Sequence, residues 1–171
     1  MKQVRRQAWI TWFHIVHSWY LPNIKLHARG DRDKKGKAGY GLMREFAEKR
    51  MDLELITKDA LETIITYGGG VFRQTCVLMQ TAADHAEDKD KAKISMEEAR
   101  AAIAEVSNGL QSQLTTEDLK TLKRVAEDNG TQLAFEAAKL LHNLSLLRYP
   151  NDHHWHDVNP VLWELVDGYG P

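Results

Sequence analysis

The chain contains a single cysteine, Cys76, in 171 residues. No intramolecular disulfide framework can form, and this usage fits a reducing cytoplasm. With Val77, Leu78 and Met79 beside it, Cys76 reads as a buried structural thiol rather than a nucleophile. An excess of either charge is also missing: 23 basic side chains face 24 acidic ones, which removes any global attraction to nucleic acid or to an acidic membrane and leaves only local basic surface. Nor is there a long apolar run. The most apolar stretch, residues 9–20, is interrupted by Thr11, His14, His17 and Ser18, is followed by no small-residue cleavage site, and is too short to span a bilayer. Internal repeats and low-complexity tracts are absent as well. At this length the chain can bury a real core as one ordinary domain or two small units.

What is there begins with a basic and then aromatic N-terminal segment. Trp9, Trp12 and Trp19 fall within eleven positions, more apolar surface than a chain end leaves in water, so self-association or docking on a partner is expected through Trp9, Trp12, Phe13, Ile15, Val16 and Trp19. Residues 21–26 alternate apolar and polar as a short edge strand does, and residues 27–39 read as a solvated basic loop. Within that loop Gly30, Gly36, Lys37 and Ala38 imitate a phosphate-binding loop. Five residues instead of four separate the glycines, and Ala38 lacks the hydroxyl that would hold magnesium, so no nucleotide site is assigned there.

Apolar Leu42, Met43, Phe46, Ala47 and Met51 predict a first helix over residues 42–51. A second is expected over residues 58–67 with Thr57 as N-cap, and a third over residues 71–86. The Tyr67-Gly68-Gly69-Gly70-Val71-Phe72-Arg73 stretch separates these two, with Gly68 expected to take the left-handed conformation that ends a helix. Arg73 then falls in the first turn of the third helix, where the helix dipole favours anions, so a cation there suits a bound phosphate. Residues 84–93 form a charged turn. Ser95 and Glu98 form a capping box that opens a fourth helix with Ala99, Ala102, Ile103 and Val106 inward.

A second unit starts near Leu114. Thr115 with Asp118 gives a capping signal, Leu119, Leu122 and Val125 continue at helical spacing to Asn129-Gly130, and a further helix is expected over residues 135–144. The period then changes from helical to extended, predicting a strand over residues 144–149, a turn over 150–154, a returning strand over 155–158 and a helical turn started by Pro160. The fold class expected is mainly α: a small helical bundle followed by a winged-helix unit with one β-hairpin. The organisation is an N-terminal aromatic segment and basic loop (residues 1–38), the bundle (39–113) and the winged-helix-like unit (114–171).

Residues 21–26, Gly39-Tyr40, the helix over residues 56–65 and Gly69-Gly70-Val71-Phe72-Arg73 resemble the helical lid of an AAA+ ATPase, and residues 141–152 with 155–160 are similar to the winged-helix tail that follows the lid in bacterial relatives of the origin-recognition and signal-transduction ATPases. The resemblance spans residues 20–166. It implies that Gly70 and Arg73 form the sensor-2 motif, whose arginine reaches nucleotide phosphates. No Walker A or Walker B pattern accompanies it, so the resemblance is to the C-terminal part of such an ATPase. ATP and magnesium are implied only with a complementary core on another chain or in a lost domain, and hydrolysis by this chain alone is not expected. The partner implied is an AAA+ core or another protein, with no membrane.

The alternative function is a DNA-binding winged-helix regulator. Arg148 beside His153 and His154 at the wing, together with Lys139, supplies local positive or polar surface for weak contact with a phosphate backbone. Residues 135–141 offer few side chains able to read base edges, so nonspecific contact is the form expected. The histidine cluster lacks a cysteine and lies in a predicted turn, and is read as a polar wing tip rather than a metal site.

Overall fold

The computed structural model describes residues 23–128, 137–149 and 155–170. Those residues form seven α-helices and two separate two-stranded antiparallel sheets, so the chain is mainly helical with a C-terminal hairpin, as the patterning predicts. In chain order they are β1 (His27–Ala28), β2 (Asp31–Lys35), α1 (Lys37–Glu48), α2 (Lys58–Tyr67), α3 (Phe72–Glu87), α4 (Met96–Gln111), α5 (Thr116–Glu127), α6 (Ala138–His142), β3 (Leu146–Tyr149), β4 (Trp155–Val158) and α7 (Trp163–Gly168). Short 3-10 turns lie at Leu53–Leu55 and Pro160–Leu162.

Helices α2, α3 and α4 close around Leu61, Ile64, Ile65, Leu78, Ala82, Ala99 and Ala102, with Leu26 and Met43 beneath them. Each fully buried aliphatic side chain of this kind is worth roughly 1.5–3 kcal/mol of transfer free energy. The small residues on α4 let it lie close along α2 and α3. A second core gathers Leu122, Val125, Leu140, Leu146, Val158, Leu162 and Val166 from α5, α6, the hairpin and α7. Tyr67, Ile103 and Val106 pack against both cores, so α2 and α4 carry the junction between bundle and winged unit.

Both capping boxes form as expected. The Ser95 hydroxyl accepts from the backbone at the start of α4 while Glu98 accepts from the Ser95 N–H at 3.0 Å, and Thr115 with Asp118 repeats the arrangement at α5. Thr57 occupies the N-cap of α2 without a side-chain hydrogen bond to the helix.

Several boundaries differ from the sequence reading. The edge strand expected over residues 21–26 is not formed by Asn23–Leu26, and strands occur instead inside the expected loop, at β1 and β2. Gly30, at φ 71°, turns the hairpin, and the Asp31 carboxylate accepts the N–H groups of Asp33 and Lys34 at 3.1 and 3.0 Å. Because β2 is almost wholly exposed, no apolar alternation marks it. Helix α1 starts five residues before the expected Leu42, on Gly36, and contains Gly39 and Gly41. A Cβ at Gly39 would lie 2.1 Å from the Lys25 carbonyl oxygen, so glycine here serves a close chain crossing rather than a helix stop. Gly68 is right-handed, at φ −67°, and the left-handed residues are Gly69 and Gly70, at φ 60° and 69°. Helix α6 ends at His142, before the expected Leu144, and Leu144 at φ 64° turns the chain into β3. Cys76 is half-buried rather than buried.

Candidate functional site

The turn from Tyr67 to Arg73 is held from three sides. From the N-terminal side, the Ile24 N–H donates to the Gly70 carbonyl at 2.9 Å, and a Cβ on Gly70 would lie 1.8 Å from the Ile24 carbonyl oxygen. From the hairpin, the buried Tyr149 hydroxyl donates to the Gly69 carbonyl at 2.8 Å. Burial keeps the Tyr149 phenol neutral by pushing its pKa above the ordinary value, which leaves it a permanent donor. A Cβ on Gly69 would meet Leu147 Cδ1 at 2.5 Å and Pro160 Cδ at 3.0 Å. Both glycines are therefore demanded twice, by positive φ and by the backbone and side chains packed against them.

The third support comes from α3 itself. The amide of Gln74, 6% exposed, donates to the Tyr67 carbonyl at 2.8 Å and pairs reciprocally with Asn159, 0% exposed: Gln74 Nε2 donates to Asn159 Oδ1 at 2.9 Å and Asn159 Nδ2 donates to Gln74 Oε1 at 2.7 Å. Asn159 also donates to the Leu144 carbonyl at 2.8 Å and accepts the Val161 N–H at 3.2 Å. One buried amide pair thus joins the start of α3 to both ends of the C-terminal hairpin. Tertiary proximity alone creates this pair, whose members lie 85 positions apart; no spacing in the sequence marks it.

Arg73 sits next to that anchored glutamine, in the first turn of the sixteen-residue α3, where no acidic residue is present and no side chain caps the helix. It is exposed, and among the described residues it makes no hydrogen bond or ion pair. Exposed helix N–H groups and a free guanidinium together suit an anion presented from outside the chain. Phe72 before it packs on Phe46 of α1, with ring centroids 4.7 Å apart, so the arginine's backbone is fixed while its side chain faces solvent. Leu42 on α1 and Val77 on α3 are exposed at 44% and 45%.

The other residues singled out lie apart from this site. Arg148 is exposed on β3 opposite His156, between Leu147 and Tyr149, which face the glycine turn; by strand alternation it points the other way. Lys139 on α6 is bound to Asp118 at 2.6 Å and to the Gln113 carbonyl at 3.4 Å, which ties it to the start of α5. His153 and His154 lie outside the described residues, as do the N-terminal aromatics. On α5, Lys120 and Lys123 approach Glu117 and Glu127 of the same helix, at 3.2 and 4.0 Å, which dilutes the positive surface there. Among the described residues no three His, Cys, Asp or Glu converge as a metal site, and no helix is long and apolar enough to cross a membrane.

Two polar clusters went unread in the sequence. Glu98, fully buried, accepts from Lys91 at 2.6 Å and from the Ser95 hydroxyl at 2.6 Å, and the Lys91 bond followed by the Ser95 bond holds its carboxyl well below the usual carboxylate range. His27, 6% exposed, places Nε2 3.3 Å from Asp157 Oδ2 across the two hairpins. The capping box signals Glu98 as a cap, not as a buried charge, and the His27–Asp157 pair has no sequence signature. No family model, no curated protein and no solved structure matches the chain.

Proposed function

We propose that this chain acts as the lid and winged-helix region of an AAA+ ATPase, with Arg73 offered to the phosphates of a nucleotide held on a core supplied by another chain or by a preceding domain. The observation that carries the reading is Arg73 itself: exposed and unpaired among the described residues, on a helix start immobilised by the glycine turn and the Gln74–Asn159 pair. The exposed Leu42 and Val77 lie on α1 and α3, the helices joined by the Phe46–Phe72 contact, and supply apolar surface for a core to cover. In this role the chain is not itself a catalyst, because phosphoryl transfer needs a phosphate cradle, magnesium and a residue that positions water.

The test mixes the chain with an AAA+ core that carries Walker motifs but ends before its lid. ATP turnover by the mixture should rise, and Arg73→Ala should remove at least about tenfold of that rise while leaving the association intact, as one charge-assisted contact is worth about 1.5–3 kcal/mol. Micromolar ATP binding to the chain alone, or an unchanged rate with Arg73→Ala, defeats the reading. A second reading, weak DNA contact through the wing, is supported by the exposed Arg148 on β3.

A further inference from the structure

The contact between His27 on β1 and Asp157 on β4 joins the N-terminal hairpin to the C-terminal one. His27 Nδ1 lies 3.0 Å from the Ala28 carbonyl oxygen. A carbonyl can only accept, so Nδ1 carries a hydrogen. Asp157 Oδ1 accepts the Val158 N–H at 2.8 Å, which leaves Oδ2 to face His27 Nε2 at 3.3 Å. A neutral ring opposite an ionised carboxylate would leave Nε2 buried without a hydrogen-bond partner, beside a negative charge. With one proton on either atom the pair is attractive and net neutral; without it the site holds an uncompensated charge. The ring is enclosed edge-on by Trp155 and Trp163, both with centroids at 5.8 Å, and by Tyr149 at 6.3 Å.

We propose that His27 and Asp157 form a one-proton latch that fastens the N-terminal hairpin to the C-terminal hairpin, closed while the shared proton is held and loosened when it is lost. Charged groups of both signs surround the pair. Arg32 on β2 binds Asp167 of α7 at 2.8 Å and stacks on Trp163, its guanidinium 4.7 Å from the ring centroid. Asp31, Asp33, Lys123, Glu127 and His156 line the 380 Å³ cleft beside Asp157. Lys25 lies 6.0 Å from the Trp155 ring centroid, and the Tyr149 phenol stays neutral. Arg32 is thus shared between Asp167 and Asp157, which divides its pull on the carboxyl. Burial, the largest influence, pushes the Asp157 carboxyl above its ordinary value, against the opposing pull of His27 and Arg32. A carboxyl raised in the folded state loses that stabilisation as pH rises through the raised value. The latch therefore weakens towards alkaline pH, the reverse of a carboxylate held by a permanent cation.

Loosening acts locally. The Arg32–Asp167 pair still tethers the hairpin. What changes is the packing of His27 against Trp155 and Trp163, together with the Gly36 N–H bond to the Leu26 carbonyl at 2.8 Å just below the hairpin.

Amide hydrogen exchange of the whole chain tests this between about pH 5 and about pH 9, corrected for intrinsic rates and referenced to α4. Protection over residues 27–36 should fall about tenfold or more across that range while α4 stays constant. In Asp157→Asn the amide can donate a fixed hydrogen to Nε2 and still accept from Val158, so protection should become independent of pH at the acidic wild-type level. Constant protection in the wild-type chain overturns the latch by itself, whether or not the variant folds. An unchanged pH profile in a folded Asp157→Asn variant overturns it equally.

Discussion

The Gln74–Asn159 pair should be the most expensive single polar contact to break, and its cost follows from the bonds it makes. Asn159→Leu removes two donated and two accepted hydrogen bonds in one step, leaving Gln74 Oε1, the Leu144 carbonyl and the Val161 N–H without their partner. Each buried polar group left unsatisfied costs about 1–3 kcal/mol, offset in part by the added apolar side chain, so a net loss of about 3 kcal/mol is expected. For a chain of this size that lowers Tm by about 6–12 °C, a large fraction of a total stability of about 5–15 kcal/mol. Gln74→Leu should cost somewhat less, since Asn159 keeps its bonds to the Leu144 carbonyl and the Val161 N–H and only the Tyr67 carbonyl loses its partner. In the double variant both amides are gone, so the two costs should fall short of adding by about 1.5 kcal/mol or more. Urea unfolding followed by both circular dichroism and tryptophan fluorescence reads the cycle. The two probes should coincide in the wild-type chain and separate in Asn159→Leu, as the winged unit loosens before the bundle. Additive single costs, or a loss below about 1 kcal/mol for Asn159→Leu, would refute the view that this pair couples the start of α3 to the hairpin.

Gly70→Ala should destabilise by well over about 2 kcal/mol, because the new Cβ collides with the Ile24 carbonyl at a positive φ, whereas Gly41→Ala, in open space on α1, should stabilise by about 0.5–1 kcal/mol; thermal melts of the two variants compare them directly. Glu98→Gln should lower Tm at neutral pH and flatten the acid limb of the stability curve. The Glu98 carboxyl is held low, so its contribution is present above the ordinary carboxylate range and is lost as pH falls through the depressed value, and an acid limb unchanged by the substitution would contradict this. Binding of DNA through the wing, measured by fluorescence anisotropy, should be weak, nearly independent of sequence and steeply salt-sensitive, and should weaken in Arg148→Ala; tight binding insensitive to salt would rule out backbone contact as its basis.

Local chemistry settled much of this protein from the sequence. The capping boxes at Ser95 and Thr115, helix α2, strand β4 and the position of Arg73 at the start of α3 were all legible, because caps, helical periodicity and glycine turns act within a few residues. The first hairpin was not, since β2 stands in solvent and carries no apolar alternation. The start of α1 was misplaced because Gly39 and Gly41 look like breakers, while only the crossing Lys25 backbone explains Gly39. Within the glycine turn the sequence located the bend, but which glycines turn left-handed was decided by Ile24, Tyr149, Leu147 and Pro160 arriving from distant parts of the chain. The Gln74–Asn159 and His27–Asp157 pairs belong wholly to the tertiary structure. Neutral amides, and a histidine and an aspartate 130 positions apart, acquire their meaning only when burial removes water and leaves each as the other's partner.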